Sequence, residues 1–194
     1  MASPTLALPS AGGQRPRRVL PLAVLLLATS GTMLFGGLLA AYLHLRRVSE
    51  PWPPRGAGID QYWGNLAMIT MLMAAVTVEW GCYALRRGER RQAAAGLGVT
   101  LGLGIAVLNL VSYAAGQVRF DAVTHPYGLV VAAMTMLLGI AIGIAVAFVT
   151  LTLFRVAGRQ VSVDDGEQAR AAAWCWHFAV AASLAVWYTV IVLK

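Results

Sequence analysis

Apolar residues run through this chain in long blocks separated by short polar breaks. Five blocks stand out, at roughly 19–45, 62–85, 92–118, 127–154 and 172–193. Each is long enough to cross the hydrocarbon core of a bilayer as a helix, which takes about 20 residues. None shows the period-2 alternation of a half-buried strand. The pattern predicts an all-α fold, a polytopic bundle of five transmembrane helices in a single domain over 19–194. Residues 1–18, which contain proline and glycine, read as a disordered tail. The first block is longer than the 7–15 apolar residues of a signal-peptide core and has no convincing cleavage site. It reads as a retained helix.

Composition agrees with the pattern. Of the 194 residues, 59% are hydrophobic and 12% charged, against roughly 45–50% and 25% in soluble domains. The net charge of +7 would suit a nucleic acid in a soluble protein. In a membrane protein, loop arginines set topology instead. Ten basic residues fall on one side: Arg15, Arg17, Arg18, Arg86, Arg87, Arg90, Arg91, Arg155, Arg159 and Arg170. Five fall on the other: Arg46, Arg47, Arg55, Arg119 and Lys194. The excess predicts a cytoplasmic N-terminus and an external C-terminus.

Glycines recur four apart, as in Gly98 with Gly102 and Gly139 with Gly143. Such spacing lets helix backbones approach closely in lipid, and tight packing inside the bundle is the expectation. Cys82 and Cys175 lie within apolar blocks and read as free thiols behaving as small hydrophobes.

Soluble-enzyme motifs are absent: no Walker A loop, no dinucleotide fingerprint after a strand, no CxxC pair. The chemistry on offer is the polar content of the spans. Of the three histidines, His44 and His125 belong to one side and His177 to the other, with His125 on a loop beside a proline. That arrangement does not suit a bis-histidine haem across the bundle. Glu79 lies seven residues before Arg86, and His177 seven after Arg170. Both therefore fall about 10 Å from their flanking arginines, in one layer with Cys82 and Cys175. The mixed ligand set would suit a transition metal, but structural zinc cysteines come in close pairs. Glu79 is expected to snorkel toward the basic loop, with a hydrogen bond or ion pair to His177 as the alternative. An acid inside a span is a functional candidate by default. Trp52, Trp63, Trp174 and Trp176 read as interface anchors, where amphipathic rings sit at the membrane–water boundary.

Several stretches together resemble one family. AWCWHF (173–178) resembles the AWYWHF signature of cytochrome c oxidase subunit III, placing Trp174, Trp176, His177 and Phe178 on it. PWPPRG (51–56) is similar to that family's WPPxG loop, with Trp52, Pro53, Pro54 and Gly56 matching. TSGTMLFGGLLAAYLH (29–44) resembles the family's SExxFFxGFFxAxxH helix, with His44 on its histidine. Trp80 falls on the tryptophan of the next helix, and Tyr127–Gly128 on the YG that opens the fourth. The resemblance covers roughly residues 25–193 and implies the five-helix form, without the first two helices of the seven-helix one.

The departures are specific. The family's glutamate after the serine is Gly31 here, and its helix III glutamate falls on Ala114. Its two helix IV histidines fall on Leu138 and Ala141, and its aspartate after WHF on Val180. These groups are associated in the family with proton uptake and lipid contacts.

The resemblance implies an accessory subunit III of a haem–copper terminal oxidase. The family keeps haem and copper in subunits I and II, so no cofactor is expected in this chain. Its expected partners are those two subunits and membrane lipids, with no nucleic acid, in the plasma membrane. The signature residues are expected to be structural rather than catalytic or metal-binding. An accessory protein of a nitric oxide reductase or quinol oxidase is the nearest alternative. A small transporter or lipid-binding protein is a third, although mid-membrane polar residues are few, chiefly Asn109 and Ser112.

Overall fold

A computed structural model describes residues 19–49, 51–54, 61–117, 125–158 and 166–193. The tail 1–18, Arg55, Gly56, Arg119, Arg159 and Lys194 lie outside them. The described residues form five long helices: α1 (Val19–Val48), α2 (Gln61–Arg86), α3 (Arg90–Gln117), α4 (Pro126–Ala157) and α5 (Gly166–Trp187). A π-helical turn, Tyr188–Val192, continues α5. All five are long and apolar enough to cross a membrane. The chain is a multi-pass membrane protein.

The helices stop where the sequence removes the means to continue. Gly88, at φ 77°, ends α2. The Glu89 N–H donates to the Ala84 carbonyl at 3.0 Å and the Gly88 N–H to that of Leu85 at 3.0 Å. This is a Schellman cap, which needs a left-handed residue that glycine supplies without Cβ strain. At the start of α4, His125 is the N-cap and Pro126 follows it in the first turn. The His125 Nδ1 accepts from the Tyr127 N–H at 3.4 Å, and proline has no N–H to leave unmade there. So His125, at the end of the loop as expected, also caps the helix that follows.

α5 begins at Gly166, six residues before the block 172–193 implied. Polar residues at its start look like loop, but Glu167 stands in the first turn, where an acid complements the helix dipole. Arg155 of α4 donates to the Gln168 Oε1 at 2.5 Å and ties that turn down.

α2 and α3 make the most extensive pairing, and α5 is the hub that packs on α1, α2 and α4. In α5, 50% of the apolar window is buried; in α1 only 11% is. The glycines doing the close packing are not the pairs singled out by spacing. A Cβ at Gly98, Gly102, Gly139 or Gly143 would meet nothing within 4 Å. One at Gly96 would lie 2.9 Å from the Gly81 backbone, and one at Gly104 would lie 2.8 Å from Val146 and 2.9 Å from Trp176. Spacing alone does not say which way a helix face points, and here those two pairs face away from the close contacts. Between α2 and α3 the hydroxyls of Thr77 and Thr100 lie 2.8 Å apart.

Candidate functional site

The sequence-predicted residues gather at two levels of the bundle. At the end carrying Arg86, Arg87 and Arg90, α2 and α5 lie side by side. They bring Glu79 and His177 together, with Oε1 and Nε2 2.7 Å apart. Snorkelling toward the basic loop is thus replaced by pairing across helices. A partner within hydrogen-bond reach at the same depth is cheaper than stretching to the interface. The pair is not buried within this chain: the His177 side chain is 44% and the Glu79 side chain 50% exposed. It sits in the apolar part of two spans and faces outward.

The two thiols of that layer do not join it. Cys82 is buried and its Sγ donates to the Ala169 carbonyl at 3.3 Å; Cys175 is also buried and free. Among the described residues, no three of His, Cys, Asp and Glu come together as metal ligands would.

The tryptophans divide. Trp174 is 43% exposed, but Trp176 is 0% exposed, so its reading as an interface anchor is overturned. Two residues apart on a helix means nearly opposite faces. With α5 starting at Gly166, Trp176 also lies about 15 Å inside the helix. Its ring fills the space that Gly104 leaves open. Its indole N–H is buried with no acceptor among the described residues. Phe178 has a similar part: an ideal Cβ at Gly31 would lie 2.5 Å from its Cζ. The phenyl ring occupies the place of a side chain at 31, and Phe35 meets it edge-on at 6.3 Å. Val180 packs against the same core. Trp80, by contrast, is on the exposed face of α2.

At the opposite end, Trp52 stands between Tyr42 and Tyr127, edge to face, at centroid distances of 5.3 and 4.9 Å. The Trp52–Pro53 peptide is cis. This triad joins the end of α1, the segment after it and the start of α4. Tyr127 and Gly128 are buried there. Trp52 therefore locks elements together rather than only marking a boundary. Trp63 stacks edge-on with Tyr62 and Tyr113 at 5.1 and 4.8 Å. His44 is exposed on α1.

Between these ends the helices do not close completely. A cavity of about 460 Å³ lies among α2, α3, α4 and α5, reaching from Trp63 and Tyr127 toward Met71 and Ile142. Ala114 and Leu138, two positions where the resemblance would place an acid and an imidazole, both line it. Ala141, the other histidine position, does not; it packs against the core. Sequence reasoning missed this cavity and the hydrogen bond at its mouth, from the Trp187 indole to the Asn65 Oδ1 at 2.8 Å. Paired polar residues near the ends of the second and fifth blocks were the available signal.

A five-helix membrane bundle with an intramembrane acid–imidazole pair and an aromatic lock on a Trp-Pro-Pro segment defines a multi-pass integral membrane protein. Residues 13–193 match the family model for cytochrome c oxidase subunit III, and the chain belongs to that family. It is 30% identical to the cytochrome c oxidase subunit 3 of Danio rerio over 80% of this chain and 62% of the relative. It is 31% identical to that of Thermostichus vulcanus over 58% of this chain and 51% of the relative. The corresponding Gallus gallus protein is 28% identical over 80% of this chain and 62% of its own length. The chain thus spans between half and two thirds of the curated relatives it matches.

Proposed function

We propose that this chain is the accessory subunit III of a haem–copper terminal oxidase, cytochrome c oxidase in the first instance. It stabilises the catalytic subunit I, packs with subunits I and II in the plasma membrane, and carries no haem or copper itself. The oxidase around it reduces O₂ and moves protons. The family match over residues 13–193 carries this reading. The excess of arginines at the Arg86–Arg91 end supports a cytoplasmic placement of that end.

The Glu79–His177 pair gives the reading a physical footing. An ionisable pair exposed at hydrocarbon depth is costly against lipid and favours a polar neighbour. A subunit I helix with a hydrogen-bonding side chain at that depth would supply one. His177→Ala is expected to lower the yield of assembled oxidase several-fold while the turnover of complexes that do assemble stays near wild type. Normal yield with lost turnover would refute an assembly role.

A second reading, an accessory protein of a nitric oxide reductase or quinol oxidase, draws on Gly31, Ala114 and Leu138, where the scaffold is kept without the acidic and imidazole groups. A mild-detergent pull-down of the tagged chain, read by optical spectrum and mass spectrometry, separates the two. Haem a with copper-bearing subunits supports the oxidase. Haem b without copper moves the assignment to the second reading. A colourless chain on its own overturns both.

A further inference from the structure

α5 is the hub of the bundle, yet it keeps one stripe uncovered. Trp174, His177, Ala181, Leu184 and Tyr188 are all exposed. They recur three and four apart, the spacing of a helix-packing seam. A neighbouring helix stands on either side of that stripe. Around the α5 axis Phe178 lies about 100° to one side of His177, and Trp187 about 80° to the other. Phe178 meets α1 at Gly31, and Trp187 meets α2 at Asn65. Among the described residues α1 and α2 have little or no contact with each other. The stripe is therefore the floor of an open groove. α2 adds Leu72, Val76, Glu79 and Tyr83 to one wall, all exposed and again three and four apart.

Most of this surface would suit lipid, but Glu79 and His177 would not. They lie about 10 Å inside the arginine-rich end, and both side chains are open to whatever fills the groove. Among the described residues neither has a second hydrogen-bond partner. With the carboxyl ionised, His177 donates its Nε2–H to the Glu79 Oε1. The Glu79 Oε2 is then an unmet acceptor, and in the neutral imidazole so is Nδ1. The pair presents one negative charge and only acceptors. An acyl chain offers it no donor, and lipid headgroups lie outside the hydrocarbon. A third helix can offer one. Packed helices lie 8–10 Å apart, and Ala181, one turn from His177, has no side chain beyond Cβ to hold a neighbour off.

We propose that the groove between α1 and α2 seats a transmembrane helix of a partner protein, and that this helix carries a lysine or arginine against the Glu79–His177 pair. The cation supplies the missing donor and cancels the charge, so that the three groups form one closed network in the hydrocarbon. An arginine fork has donors enough for both Oε2 and Nδ1. The inference rests on the reading of this chain as an accessory subunit, and adds to it the surface used and the partner's chemistry.

The test is photocrosslinking of the full chain in its native membranes. A benzophenone amino acid replaces Tyr83 or Leu184, exposed residues on either side of the pair in depth, or Met33, exposed on α1. Crosslinked peptides are sequenced by mass spectrometry, and the optical spectrum of the purified complex is recorded beside them. Tyr83 and Leu184 are expected to join one transmembrane segment of one partner, at least fivefold more than Met33 does. That segment should carry a lysine or arginine between the two attachment points. Glu79→Gln keeps the size and removes the charge, and should cut both crosslinks at least fivefold. Glu79→Lys combined with a glutamate in place of the partner's cation should restore them. Attachment to lipid alone overturns the proposal, as does a partner segment with no cation between the attachment points. Both are read without altering Glu79, so they stand even if its variants do not fold. Crosslinks unchanged by Glu79→Gln overturn it too. The two readings fail separately. A haem a complex whose groove probes reach only lipid keeps the oxidase subunit and removes the docked helix. A cation-bearing helix in the groove of a complex without haem a keeps the docked helix and removes the oxidase.

Discussion

The same four helices, α2 to α5, pack in two different ways along their length. At the arginine-rich end they close down. Gly81 and Gly96 bring the α2 and α3 backbones together, and Ala169, Ala171, Ala172 and Ala173 are all buried in α5. The large ring that turns inward there, Trp176, is fully enclosed. At the other end the helices part around 460 Å³, and aromatic rings tie them only at the rim. Small residues do opposite things in the two halves. Facing a neighbouring backbone they permit contact; facing a gap, as Ala114 and Gly139 do, they enlarge it. Composition is therefore a poor guide to packing here, and direction decides.

Substitutions can break or sharpen that contrast, beginning where the effect is greatest. Gly96→Val puts a branched side chain into backbone that cannot yield, 2.9 Å from Gly81. It is expected to cost roughly 3 kcal/mol or more and to abolish the folded chain in detergent. A wild-type thermal midpoint would sink the closed-half picture. Trp176→Ala removes the buried ring and should cost about 3–5 kcal/mol, measured by denaturant titration in micelles. Gly104→Ala presses a methyl on Val146 and Trp176, which are side chains able to shift; about 1–2 kcal/mol is expected in the same titration. In the hollow half the outcome should invert. Ala114→Leu fills space at no steric cost, and its midpoint should stay within about 1 kcal/mol of wild type or rise. Smallest of all, Gly139→Ala meets nothing within 4 Å and should be neutral or raise helix stability by a few tenths of a kcal/mol to about 1. A large loss in either of the last two would mean that the gap is not there.

Much of the fold was legible because bilayer spans leave a coarse signal. Five apolar blocks gave five helices, since length and hydropathy survive without knowing any contact. The ends were less legible. The polar start of α5 resembles a loop until Arg155 and Gln168 are seen to hold it. At the site, equal distances from flanking arginines brought Glu79 and His177 to one depth, but depth is one coordinate of three. Rotation about the helix axis separated them from Cys82 and Cys175, and it sent Trp176 inward while Trp174 faces out. The cavity lay beyond sequence reading because an empty volume is a property of four helices at once. The motif blocks pointed to the family through residue identity rather than through physics, and the structure supplies reasons for some of them. Trp52 and Tyr127 form a lock, and Trp176 fills a core.

The order of the helices in the chain also sets an order of events in making the protein. Among the described residues α1 packs chiefly on α4 and α5, and α5 starts more than a hundred residues after α1 ends. At ~5–20 residues per second of synthesis, α1 waits on the order of 5–25 s in the bilayer with no companion. α2 and α3, joined by the tight Gly88 turn, can pair as soon as both are out of the ribosome. A segment that must wait alone has to be content in lipid. α1 meets that requirement with an almost uninterrupted apolar surface and little that only a neighbouring helix could cover.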